Sequence, residues 1–517
     1  MMRVLVRADA SALLGTGHVM RCLALAAELK SRGHQVVFVM RLLVGHITDQ
    51  IQTAGFEVLT IADLSTSRED SQAGWIEMAR TPDVQRQDAE DTLACLSHQA
   101  WDWLIVDHYA LGLLWHQLLG GIAQKVMVID DQADRRLQCD VLLNQNPGAQ
   151  TSHYAGLIPS DCLLLMGPHY ALLRPEFSEK ADVSPKREQL LTARRILVSL
   201  GGADVQGISL KVLSAMADCG LRGPGVTVVT GVQNLHEQAL GQRCRTLGYV
   251  CLKSTVKMAD LMQQSHWAIG AGGVSMLERC TMGVASITLV IAPNQKPGVE
   301  AAQAQSAVRM LDPQAPDFEG HLRWAIEHML TSPEHLAAMS KAALAICDGK
   351  GTPRVAKTLL EGALIFRAAS IEDSPELHAW RNAAETRWYS GGGHIINLAH
   401  HQQWMQSVLE NPRQRLWIAS AAAGPIGVLR FDSSTCGADT IAEISVYRVP
   451  CQTGRGWGKA LIARGIQEAQ RIWPALVRID ARISDDNLAS LQAFAACGFT
   501  ASTSCGMHQK NLERPSL

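Results

Sequence analysis

A chain of 517 residues, 47% of them apolar and 19% charged, can hold two to four domains that each bury a core, and the balance excludes disorder. A formal net charge of −2 excludes a general nucleic-acid footprint and a polybasic membrane surface. No apolar run reaches the ~18 residues a membrane span needs. The apolar part of Met1–Arg7 is too short for a signal peptide. The 13 cysteines show neither a C-x-x-C pair nor a metal-ligand spacing, so free thiols in the cytoplasm and no bound metal are expected.

The first predicted strand, Arg3–Arg7, runs into Asp9 and a glycine-rich turn, Gly15-Thr16-Gly17-His18. A helix follows from Val19 to about Arg32, with Met20, Leu23, Ala24, Ala27 and Leu29 as its apolar positions. A helix N-terminus offers free N–H groups and positive dipole charge to an anion such as a diphosphate. This turn can therefore hold phosphate through Gly15 and Gly17 and present His18 as a general base. Runs at Val36–Val39, Trp103–Val106 and Val126–Ile129 continue the alternation of strand and helix, the pattern of a parallel sheet covered on both faces. Tyr109 follows the second of these runs, Trp103–Val106, closely enough to reach a cleft.

Residues 178–195 are charged and lose apolar periodicity, which marks a boundary. A second series then begins with strands at Ile196–Leu200, Val226–Val229, Trp267–Ile269 and Ser286–Ile291. Gly272-Gly273 form its strand-to-helix turn. Two α/β halves, 1–180 and 190–347, imply two Rossmann-like lobes with ligands beyond the carboxyl ends of the strands. Asp348–Pro353 reads as a break, Val355–Leu364 as a helix, and 366–517 as a third module. There a strand at Ile444–Val449 enters the turn Gly454-Arg455-Gly456-Trp457-Gly458-Lys459 and the helix Ala460–Arg471. A strand at Val477–Ile483 follows, then Asn487 and Cys497-Gly498-Phe499.

The pieces Arg7–Ser11, Gly15–Cys22, Val106–Tyr109, Ile129–Asp131, Asn144–Asn146, Gly167–Phe177, Leu200–Asp204, Gly272-Gly273, Glu278–Cys280 and Asn294-Gln295 together resemble, in order, the UDP-sugar hydrolases of the pseudaminic acid pathway. Those enzymes release UDP from UDP-2,4-diacetamido-2,4,6-trideoxy-L-altrose. The resemblance implies two lobes of glycosyltransferase-B type, a catalytic His18, attack by water and no metal. It implies a diphosphate site at Gly273 and a ribose contact from Glu278. Asn294 would read hydroxyl or acetamido groups, or form an Asx turn. Arg174 would pair with phosphate, or hold the interlobe loop through Glu176.

The third module resembles the GNAT acetyltransferases, whose turn cradles the acetyl-CoA pyrophosphate. By that resemblance Gly454, Arg455, Gly456, Gly458, Lys459 and Asn487 bind acetyl-CoA. Two positions depart from the pattern. Thr453 stands where Arg or Gln is usual. Phe494 replaces a tyrosine, and phenylalanine cannot protonate a thiolate. Glu443 is the candidate to deprotonate an amine.

The expectation is a cytoplasmic enzyme that N-acetylates a UDP-4-amino-sugar with acetyl-CoA and hydrolyses the product to UDP and the free sugar. The alternative is a UDP-sugar glycosyltransferase with an acetyl-CoA-binding regulatory domain. Neither nucleic acid nor membrane is expected as a partner, and the oligomeric state is left open.

Overall fold

The computed structural model describes residues 1–517 except 12–13, 64–77, 97–99, 182–194, 202–203, 205, 232–233, 254–256, 390–393, 437–438, 451, 453–454, 503–505 and 513–517. The first sheet contains β1 (Arg3–Ala8), β2 (Gln35–Arg41), β3 (Glu57–Ile61), β4 (Trp101–Asp107), β5 (Ala123–Ile129), β6 (Val141–Asn144) and β7 (Leu163–Met166). Its strands are parallel, in the order β3-β2-β1-β4-β5-β6-β7. Every residue of β4 is buried, as a strand covered on both faces requires.

The second sheet contains β8 (Ile196–Ser199), β9 (Val226–Thr230), β10 (Val250–Lys253), β11 (Trp267–Ala271), β12 (Ala285–Leu289) and β13 (Arg309–Leu311). It is also parallel, in the order β10-β9-β8-β11-β12-β13. In each sheet the chain leaves the first strand in one direction and returns on its other side. The switch lies between β1 and β4 in one lobe and between β8 and β11 in the other. Crevices beyond the strand ends open at such points.

Helix α1 (Gly17–Ser31) follows β1 and starts earlier than the sequence predicts, so Gly17 and His18 belong to its first turn. Its buried side carries Val19, Cys22, Leu25, Ala26 and Leu29, whereas Ala27, predicted to be inward, is exposed. Arg21 on the same helix is buried because a carboxylate meets it, a partner that apolar periodicity does not register. In the second lobe α2 (Val274–Thr281) follows β11.

The predicted break at Asp348–Pro353 is corrected. Gly351, Thr352 and Pro353 are the first turn of helix α3 (Gly351–Ala363). Proline is tolerated there because a first-turn N–H has no intrahelical acceptor. Helix α3 returns to the first lobe: the Trp103 indole N–H donates to the Leu359 carbonyl at 2.8 Å, and a Cβ on Gly351 would collide with the Ala171 backbone. Leu364 alone joins it to β14 (Ile365–Ala368).

The third sheet continues with β15 (Gln414–Ala421), β16 (Gly424–Cys436), β17 (Asp439–Arg448), β18 (Leu476–Arg482), β19 (Thr500–Ala501) and β20 (Met507–Asn511). Its order is β14-β15-β16-β17-β18-β20-β19, and only the β17–β18 pair is parallel. Helices α4 (Ser374–Asn382) and α5 (Leu398–Glu410) precede β15, and α6 (Trp457–Ile472) joins β17 to β18. One apolar cluster runs from Leu25 and Leu29 of α1 through Val355, Leu359 and Leu360 of α3 to Trp457 and Leu461 of α6. The third module thus shares a core with the first lobe. Among the described residues, no helix is long and apolar enough to cross a membrane.

Candidate functional sites

A cleft of ≈ 480 Å³ lies where the two switch points face each other. The first lobe lines it with Gly15, Thr16, Gly17, His18, Arg21, Tyr109, Asp131, Gln145 and Asn146. The second lobe adds Gly201, Asp204, Gly272, Gly273, Ser275, Asn294 and Gln295. Gly15 and Gly273 both have positive φ, +73° and +69°, and each turn leads directly into a helix. No side chain caps either helix, so the first-turn N–H groups remain available to an anion.

His18 is the centre of the first-lobe wall. Its Nδ1 lies 2.5 Å from Asp107 Oδ1, and Asp107 also accepts from Arg21 Nε and Nη2, both at 2.6 Å. Burial alone would raise the Asp107 carboxyl. Arg21, and after it His18, outweigh that cost and hold it well below the usual carboxylate range. A carboxylate so close to Nδ1 places the proton there, so Nε2 is the basic nitrogen. No partner for Nε2 is found among the described residues.

Tyr109 stands edge-on to His18, with ring centroids 4.4 Å apart. Its hydroxyl donates to Asp131 Oδ2 at 3.3 Å and accepts from Asn294 Nδ2 at 2.8 Å. The last bond crosses from one lobe to the other. Burial and the neighbouring Asp131 charge push the Tyr109 phenol well above its ordinary value. Burial also raises the Asp131 carboxyl, despite Arg21. Asp131 Oδ1 and Gln145 Nε2 are buried on the cleft wall and have no partner among the described residues.

His18, Gly15, Gly17, Tyr109, Gly273 and Asn294 are therefore brought together, while two other predicted residues are not. Arg174 and Glu278 lie outside the lining and face each other at 3.6 Å, with Glu176 3.2 Å from the same guanidinium. Sequence reasoning had not assigned Asp107, Arg21 or Asp131 to the site. Strand alternation carried the missing signal. Asp107 and Tyr109, two apart, both meet His18, whereas His108 between them turns to Asp9 at 3.4 Å.

In the third module Gly456, φ +77°, is the N-cap of α6 and no side chain caps that helix. Its first-turn N–H groups can donate to a diphosphate. Trp457, fully buried at the first helical position, has an indole N–H with no acceptor among the described residues. Gly458 follows in the first turn, and Lys459 accepts a weak Cys497 thiol bond at its carbonyl. Gly454 and Thr453 lie outside the described residues. Asn487 caps helix Leu488–Ala496 by accepting the Ser490 N–H at 3.1 Å. Phe494 is buried edge-on to Phe499, 4.9 Å away, and offers no proton. Strands β17 and β18 stay paired to Ile444 and Ala481 and then part.

Residues 363–500 match the acetyltransferase (GNAT) domain family. Over 216 residues the chain is 26% identical to the UDP-2,4-diacetamido-2,4,6-trideoxy-beta-L-altropyranose hydrolase of Campylobacter jejuni, an alignment covering 42% of this chain and 66% of that protein. The chain thus spans just under two thirds of that relative. Over 265 residues it is 26% identical to the spore coat polysaccharide biosynthesis protein SpsG of Bacillus subtilis, covering 48% of this chain and 76% of that one. Among solved structures, MurG of Acinetobacter baumannii is 14% identical and superposes on 69% of this chain and 99% of its own, with a TM-score of 0.47. The chain is a fusion of a hydrolase-like half and a GNAT domain. In this fusion the two parallel lobes carry the cleft between them. The GNAT domain carries the uncapped turn at α6. Among the described residues, no group of three His, Cys, Asp or Glu side chains could hold a metal ion.

Proposed function

We propose that the fusion performs two successive steps on one UDP-amino-sugar. The GNAT domain transfers an acetyl group from acetyl-CoA to the 4-amino group, releasing CoA. The two-lobed half then hydrolyses UDP-2,4-diacetamido-2,4,6-trideoxy-L-altrose to UDP and the free sugar. The similarity to the Campylobacter hydrolase supports the substrate class, and the GNAT match supports the acyl donor. The pseudaminic acid pathway and the cytoplasm are the setting this reading implies.

The observation that carries the hydrolytic step is the His18–Asp107 pair on the cleft wall, opposite a second helix N-terminus. His18 Nε2 takes a proton from water as the water oxygen attacks the anomeric carbon. The C–O bond to UDP breaks with its electrons going to the diphosphate. Asp107 stabilises the imidazolium that forms. The α2 turn at Gly273 and the α1 turn at Gly15–Gly17 hold the charged diphosphate oxygens in this reading. Asn294 and Tyr109 offer an amide and a hydroxyl to the sugar. No acceptor sugar is needed.

In the acetyl transfer, acetyl-CoA supplies the acyl group. Gly456, Gly458 and the first turn of α6 bind its diphosphate, with Arg455 and Lys459 adding charge. Because Phe494 cannot give a proton to the thiolate, the leaving group takes it from water or another acid. The test is incubation of purified protein with the UDP-4-amino-sugar, with and without acetyl-CoA, and identification of the sugar products. Free diacetamido sugar and UDP are expected only with acetyl-CoA present. UDP release from the acetylated substrate that requires an acceptor sugar would overturn the hydrolase assignment in favour of a glycosyltransferase.

A further inference from the structure

The turn at the start of α6 is not open on all sides, because the first lobe is clasped to it. Gly33, just beyond α1, has φ +76°, and the stem of Arg455 lies where its Cβ would be: Cγ at 3.3 Å and Nε at 3.5 Å. The reciprocal contact is made by Gly456, whose absent Cβ would meet Arg32 Nη1 at 3.6 Å and Cδ at 3.7 Å. Each partner thus supplies a glycine that receives the other's arginine. His34 locks the arrangement. Its Nδ1 accepts the Met2 N–H at 3.1 Å, which leaves Nε2–H to donate to the Arg455 carbonyl at 2.9 Å. The His34 ring stands edge-on to Trp457 at 5.3 Å.

The charges are unbalanced. Arg32 gives Nε and Nη2 to Glu28, while Nη1, the atom beside Gly456, has no partner among the described residues. Arg455 donates to the neutral amide of Gln452 at 3.1 Å. Two guanidinium groups and one carboxylate therefore meet at a helix N-terminus, where the macrodipole is already positive and repels cations. An anion would satisfy this surplus of charge and donors.

We propose that Arg32, a residue of the hydrolase-like half, completes the diphosphate-binding site of the GNAT domain, so that the acetyl-CoA site is composite. The inference rests on the acetyltransferase reading given above. Arg32 Nη1 and Arg455 flank the first turn of α6 and hold the diphosphate from both sides.

Titration calorimetry of the full chain decides the matter, using acetyl-CoA and S-acetylpantetheine, which lacks the diphosphate. Arg32→Ala is expected to weaken acetyl-CoA ~10- to 100-fold, the loss of one charge-assisted contact, and to shift S-acetylpantetheine less than twofold. Arg32→Lys is expected to recover part of the loss. Thermal melting of each variant checks folding, and Arg32→Gln, which keeps part of the stem and removes the charge, serves if alanine unfolds the clasp. Equal weakening of both ligands means that Arg32 only packs the turn, and unchanged acetyl-CoA affinity means that it does not reach the ligand; either result overturns the composite site. Failure of the wild-type protein to bind acetyl-CoA overturns the acetyltransferase reading itself.

Discussion

At the scale of single residues, the hydrolytic reading concentrates in His18 and Asp107. His18→Ala is expected to lower UDP release by ~10²–10⁴-fold, the usual worth of a positioned general base. Acetylation, followed by CoA release, should continue in that variant. Hydrolysis within threefold of wild type would remove His18 from the mechanism. Asp107→Asn keeps the shape but cannot hold the proton on Nδ1 in the same way. Its kcat should fall ~10²-fold or more with little change in KM. A normal kcat would show that Arg21, not the histidine, is the partner that matters to Asp107. His18 was legible in the sequence because the glycine turn announces itself locally. Asp107 was harder to see, since its role depends on β4 lying beside β1, a contact between residues 89 apart in the chain. Arg174 and Glu278 show the converse. Both are charged and near glycine turns, yet they satisfy each other outside the cleft lining.

Among the elements, α3 explains most of what the sequence concealed. Alternating strand and helix patterns identified the two parallel sheets because strands covered on both faces read as plain apolar runs. Asp348–Pro353 instead reads as a break, since glycine and proline are ambiguous between a loop and the first turn of a helix. Only the surroundings decide, and here the helix is required to cover Trp103 and Leu29 on one side and Leu461 on the other. Leu359, fully buried in this helix, is the natural probe. Leu359→Ala should cost about 2–5 kcal/mol in the first unfolding transition seen by denaturant titration, from lost burial and a cavity. Gly351→Ala should destabilise comparably, because the Ala171 backbone cannot move aside as a flexible side chain would. Wild-type stability in Gly351→Ala would mean that the helix start is free to shift.

For the whole molecule, the shared core makes the two halves interdependent, and His34 makes that interdependence sensitive to pH. Burial lowers its pKa to about 4, against the pull of the Arg455 carbonyl bond. Between an ordinary value of ~6.5 and about 4 the unfolded chain therefore binds a proton that the folded chain refuses. Stability should fall as pH drops through that window and stop falling on this account below it, by about 3 kcal/mol in total. Denaturation midpoints from pH 7 to 4 should show a smaller decline in His34→Gln than in wild type. Identical declines would assign the effect to another group. Excised residues 363–517 should be markedly less stable than the same domain in the full chain, read by loss of a cooperative melt, because Trp457 and Leu461 lose their cover. One further consequence comes from Leu364, the single residue between α3 and β14. Where two modules hang on a flexible tether, its length sets how often one meets what the other releases. Here there is no tether to lengthen or trim: α1, at 15 residues about 22 Å long, spans from His18 to the clasp and fixes the spacing like a strut. Inserting a few glycines after Leu364 would not loosen a leash but pry open a core, so the geometry between the cleft and the α6 turn can change only if the fold does.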